Sequence, residues 1–166
     1  LFIMKKLLLV LALALFSFTA NAQFSVGASV GLPSGDAGDI TTFAYSVDAA
    51  YMMPTDNAVS YGFAASYLTY LGDDITVLGT TFEIDNASFL PLAGAIRFEA
   101  SEKFSLGADI GYAIGLAPDG NDGGFYYKPM VAYAIGETTS LNLSFSNVSA
   151  DGGTFSNIGL GVMFGL

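Results

Sequence analysis

From residue 24 onward, apolar side chains recur at every second position with Gly, Ala or Ser mostly between them. That is the period of a β-strand whose two faces meet different surroundings. Eight segments carry the pattern, at residues 24–32, 42–53, 59–70, 89–99, 104–116, 125–135, 141–146 and 157–166. In the first, Phe24, Val26, Ala28, Val30 and Leu32 alternate with Ser25, Gly27, Ser29 and Gly31. In the fourth, Leu90, Leu92, Gly94, Ile96 and Phe98 share the apolar face, and Arg97 and Glu99 point the other way. Pro91 and Pro129 fall inside predicted strands, where each removes a ladder hydrogen bond, so a bulge or a near-end position is expected at both.

The links between segments alternate in length. Residues 54–57, 100–103 and 136–139 make tight turns, whereas 33–39, 72–86, 117–124 and 149–154 are longer and rich in Gly and Asp. Short turns at one end and long loops at the other are the habit of membrane barrels, whose strand number is even in bacteria. Aromatics group at two heights: Phe24, Tyr51, Tyr61, Phe98, Phe104 and Phe164 at the short-turn end, and Phe43, Tyr67, Phe89, Tyr127 and Phe145 at the other. Two such bands suit the two interfaces of a bilayer. The predicted fold class is all-β, an eight-stranded antiparallel up-and-down transmembrane β-barrel spanning residues 23–166.

The first 22 residues break the pattern and predict an export signal: Lys5 and Lys6, then an apolar stretch at 7–18, then the small-x-small site Ala20-Asn21-Ala22, with cleavage before Gln23. Twelve or so apolar residues are too few to span a bilayer as a helix, which needs roughly 20.

Composition narrows the surroundings. The chain is 52% hydrophobic and only 12% charged, against about 25% charged in ordinary soluble domains. No segment after residue 22 is long and apolar enough for a membrane helix, so strands must meet the lipid. The net charge is −10, and losing Lys5 and Lys6 makes the remainder more acidic, a balance that repels nucleic acid. There is no Cys, so neither disulfides nor thiolate metal sites contribute.

Five charges fall on the face predicted to line the barrel: Asp48, Arg97, Glu99, Asp109 and Lys128. They are expected to form an internal polar network, with Arg97 in reach of Asp109 from the neighbouring strand. Gly, Ala and Ser dominate the rest of that face, leaving room for water or a slim ligand, although eight-stranded barrels are ordinarily filled by side chains. The outer loops hold Asp36, Asp39, Asp73, Asp74, Glu83, Asp85, Asp119, Asp122 and Asp151 with no Lys or Arg. Asp119, Asn121 and Asp122 are weak metal candidates, because hard cations take carboxylate oxygens but the spacing is not that of an EF-hand. No His is present, which removes Ser-His and Cys-His catalysis and His-based zinc sites.

With this strand layout and the terminal Gly161-Val162-Met163-Phe164-Gly165-Leu166, residues 24–166 resemble the OmpA/OmpX-like outer-membrane β-barrel family of Gram-negative bacteria. The resemblance implies an outer-membrane location and a lipid-embedded surface. It implies that Gly161, Phe164 and Leu166 are read as an assembly signal by the barrel-assembly machinery, with periplasmic chaperones as escorts. The final Leu and Gly159 depart from the family's pattern. Some of its barrels are enzymes that depend on His, so the expected role here is structural or surface-interacting, non-enzymatic, and without a cofactor. Two alternatives stand beside it: a small porin-like channel for water, ions or slim solutes, and a soluble secreted β-sandwich or lipocalin-like binder. The polar face argues against the last, since a soluble exterior should carry many Lys, Arg and Glu.

Overall fold

The computed structural model describes residues 23–166; the predicted export signal lies outside the described residues. Eight long strands run β1 (Gln23–Ser34), β2 (Thr41–Pro54), β3 (Val59–Gly72), then, after a short separate hairpin β4 (Ile75–Val77) and β5 (Thr80–Phe82), β6 (Ala87–Glu99), β7 (Phe104–Ala117), β8 (Gly123–Ala134), β9 (Thr139–Ala150) and β10 (Gly153–Gly165). The long strands close into an antiparallel barrel in the order β1-β10-β9-β8-β7-β6-β3-β2. Closure of β1 on β10 leaves the barrel without an unpaired edge. At 12 to 14 residues each, the strands exceed the roughly 9–11 that a tilted membrane strand needs.

The alternation resolves as an inside-out protein. Val30, Val47, Phe63, Ile96, Ile110, Val131, Leu143 and Leu160, one from each long strand, are all exposed on the outer wall. Leu32 is 70% and Phe63 66% exposed, while Asp48 and Lys128, one step off in phase, are 8% and 6% exposed. A sandwich or lipocalin-like binder turns its large apolar side chains inward; these point outward, and that reading is overturned. The aromatic bands form contacts across strands, Phe104 with Tyr133 at 4.9 Å between ring centroids near one end, and Tyr127 with Phe145 at 6.2 Å near the other.

Three expectations need correction. Phe89 belongs to no outer girdle: it is fully buried inside the barrel, on the face its strand phase assigns to it. The link expected at 149–154 shrinks to Asp151 and Gly152, because Gly153 pairs with Ala150 and Thr154 with Ser149. Gly152, at φ 89°, turns the chain in the left-handed region open to glycine. Neither proline makes a bulge. Pro91 pairs with Ala113 and Pro129 with Ala108 in unbroken register, and the irregularity lies at Ser88/Phe89, nearer the strand end. On their other sides the recorded pairing skips Pro91 and Pro129 and resumes in the same register, so each costs local pairs without shifting phase.

Candidate functional site

Among the described residues the lumen gathers the buried charges, layered along the barrel axis. At the end where Gln23, Leu166 and the short turns lie, a vestibule of about 440 Å³ opens, with Glu99 and Glu137 among the residues lining it. Inward of it stand two ion pairs. Going round the ring, β2 and β8 are four strands apart in either direction, so they face each other across the full diameter. Lys128 Nζ on β8 reaches Asp48 Oδ1 on β2 at 3.0 Å and struts the lumen. Asp48 also accepts from Ser46 Oγ at 2.7 Å and Ser66 Oγ at 2.6 Å, so its carboxylate is well solvated by protein. Ser29 extends the network to β1 through its 2.6 Å hydroxyl contact with Ser46.

The second pair joins neighbours. Arg97 Nη1 on β6 lies 2.7 Å from Asp109 Oδ1 on β7. Nη1 directs its hydrogens to the carbonyls of Ile96 at 2.9 Å and Ala108 at 3.3 Å, so the contact with Asp109 is a charge pair that leaves Oδ1 without an aligned donor. Gly107 makes room for the arginine stem: a Cβ there would stand 2.5 Å from Arg97 Cδ. Glu99, from the same predicted set, is exposed at the mouth and takes no part in either pair.

Beyond the Asp48–Lys128 strut the lumen closes. A void of about 10 Å³ remains beside Tyr126 and Ser144, and a single water needs roughly 10–15 Å³. Asn157 Nδ2 donates to Tyr70 Oη at 3.0 Å and to Ser146 Oγ at 2.6 Å across the next layer. Above that, Tyr70, Phe89 and Phe155 form an aromatic plug, with Phe89 5.1 Å from Phe155 and edge-on to Tyr70 at 6.2 Å. Val148, Tyr126 and Leu68 complete the cluster, and the 3-10 turn Gly35–Asp39 lays the buried Ala37 into the same cluster. The sequence reading missed this plug, although strand phase contained it: Tyr70, Phe89 and Phe155 all have the parity of the lumenal face. Small residues dominate only the inner half.

Of the weak metal candidates, Asn121 is engaged in closing its own loop. Its Nδ2 donates to Ala117 O and Ser88 O, and its Oδ1 accepts from Gly123 N. Among the described residues no group of three or more metal-ligating side chains converges. Gly161 packs against Ser29 and Asn142 inside the barrel, whereas Phe164 and Leu166 are exposed at its end.

No family model matches the chain, and no curated protein matches it in sequence. Solved structures match it in fold. The attachment invasion locus protein Ail of Yersinia pestis aligns at 12% identity and a TM-score of 0.58, over 90% of this chain and 100% of that one. The outer-membrane enzyme PagL aligns at 15% identity and 0.53, over 84% and 98%. A de novo designed transmembrane β-barrel aligns at 10% identity and 0.57, over 89% and 98%. The fold is therefore that of small eight-stranded outer-membrane barrels, the OmpA/OmpX-like class. An enzyme and a designed protein share it, so the fold by itself does not select a function.

Proposed function

We propose that the protein is an integral outer-membrane barrel, sealed along its axis, with a non-enzymatic role at the cell surface. The observation that carries the reading is the apolar outer wall on every long strand around a polar lumen. The termini and short turns then face the periplasm, and the plug, the acidic loops and the β4–β5 hairpin face outward. The carboxylates deepest in the lumen support a structural role, since Asp48 is held by Lys128 and two serines and Asp109 sits against Arg97. Such an apolar exterior needs escort through an aqueous compartment, which fits chaperones and the barrel-assembly machinery as biogenesis partners.

Two measurements test the location. The protein should be recovered from membranes only with detergent; release by osmotic shock would overturn the reading. Val47 lies at the middle of β2 and is 57% exposed. Val47→Arg should lower the unfolding free energy in lipid vesicles by about 2–4 kcal/mol if this wall meets the bilayer midplane. A change within about 0.5 kcal/mol, usual at a water-facing surface, would contradict it.

The surface role rests on the β4–β5 hairpin. Its turn is Leu78-Gly79, with φ 50° and 80°, positions that favour Asn or Gly. Leu78 is fully exposed there, and Val77 and Phe82 are exposed beside it. An apolar residue held in a left-handed turn where a polar one would be less strained argues for contact with a partner. Leu78→Asn should leave folding intact and reduce retention of intact cells on an octyl-coated surface at least about twofold; unchanged retention would remove the hairpin tip from the reading.

A porin-like channel is the second reading, favoured by the vestibule and opposed by the plug; its test appears in the Discussion.

A further inference from the structure

The β4–β5 hairpin has two unlike faces. Ile75 pairs with Phe82 and Val77 with Thr80, and strand alternation puts those four side chains on one side. Thr76 and Thr81 occupy the other, their hydroxyls 3.1 Å apart. Val77 and Phe82 are 51% and 54% exposed, and the buried cluster of the barrel includes no residue of the hairpin. The hairpin pairs with no barrel strand, and a lone two-stranded hairpin is at best marginally stable in water. An apolar face on so small an element gains by being covered.

Charge decides what covers it. Asp73, Asp74, Glu83 and Asp85 flank the two strands, all of them exposed, and among the described residues none stands in an ion pair. The outer loops hold no Lys or Arg to balance them. A second copy of the chain would bring the same four carboxylates against these, and an anionic lipid surface is repelled in the same way. We infer that the hairpin docks a cationic amphipathic segment of another protein. The segment's apolar side chains lie against Ile75, Val77 and Phe82, and its Lys or Arg stand beside the flanking carboxylates. Leu78 at the tip extends the apolar contact. The inference rests on the hairpin's role at the surface and names the class of partner.

The test is fluorescence anisotropy of a labelled short peptide alternating Lys and Val, titrated with the full barrel in phosphatidylcholine nanodiscs at neutral pH and about 0.1 M NaCl. Empty nanodiscs supply the background from lipid. Saturable binding is expected, and a peptide alternating Glu and Val should bind at least about tenfold more weakly. Asp73→Asn/Asp74→Asn/Glu83→Gln/Asp85→Asn removes the charge and keeps the shape, and should weaken binding at least about fivefold. Val77→Thr/Phe82→Thr removes the apolar face and keeps strand-forming residues, with a loss of at least about tenfold. Folding of both variants is checked by mobility on unheated SDS gels, and either one decides if the other does not fold. Absence of saturable binding at about 1 mM barrel, equal binding of the Glu peptide, or wild-type affinity in either folded variant would overturn the inference. A peptide alternating Ser and Val separates it from the surface role: if that peptide binds as well as the Lys peptide and is lost in Val77→Thr/Phe82→Thr, the cationic partner is overturned while the hairpin stands as a contact site.

Discussion

Asp48→Ala is expected to destabilise the barrel by about 3–5 kcal/mol, because it strands the Lys128 ammonium inside the lumen. Lys128 is buried, and among the described residues its Nζ donates to Asp48 alone. The reverse change is milder. In Lys128→Met the Asp48 carboxylate keeps its bonds from Ser46 and Ser66, which lie on its own strand and the next. The loss should be about 1–3 kcal/mol, that of one charge-assisted hydrogen bond. The asymmetry is the diagnostic feature, since a simple contact deletion would cost the same from either side. In Asp48→Ala/Lys128→Met both charges are gone, and the double variant should be more stable than Asp48→Ala alone. Urea unfolding in lipid vesicles, read by the fraction that keeps folded mobility on gels, measures all three. A double variant no more stable than Asp48→Ala would mean that the stranded charge is not the source of the loss.

Removing the plug should have a comparable effect by a different route. Phe89 is fully buried between Tyr70 and Phe155, and Phe89→Ala trades close ring contacts for a cavity. Buried Phe→Ala changes cost about 3–5 kcal/mol, from lost transfer energy and from incomplete collapse around the void. The same variant separates the sealed barrel from the channel reading. In planar bilayers the unaltered protein should show no steady conductance, since the lumen beyond the strut is too narrow to hold a file of water. Phe89→Ala combined with Tyr70→Ala removes two of the three rings and should produce transient openings. Steady conductance of the unaltered barrel would overturn the sealed reading, and a loss below about 1 kcal/mol in Phe89→Ala would show that the plug is loosely packed.

The acidic outer loops serve the fold in at least one place that composition does not reveal. Asp36 accepts from Thr154 N at 3.0 Å and ties the first outer turn to β10. Thr41 Oγ1 donates to Ala37 O within the same cap. The contact of Asp36 with Thr154 joins residues far apart in sequence, and polar loop residues carry no periodic mark of their partners.

The amino-acid sequence by itself determined the number of barrel strands, the phase of their two faces and the up-and-down order, because a period of two is a local property that every barrel strand repeats. It also placed Asp48, Arg97, Asp109 and Lys128 on one face, since burial of a charge against lipid is so costly that phase admits only the lumen. Which charges meet was a different matter. Arg97 and Asp109 sit on adjacent strands, and adjacency followed from chain order; Lys128 and Asp48 meet across the diameter, 80 residues apart, and only closure of the barrel brings them together. The same holds for the plug. Phase turned Tyr70, Phe89 and Phe155 inward, but their common height depends on register around the whole ring, and that height divides a filled outer half from an open vestibule. The turn at Asp151-Gly152 likewise needed the tertiary structure, because Ser, Thr and Gly read as loop until a neighbouring strand supplies their hydrogen bonds.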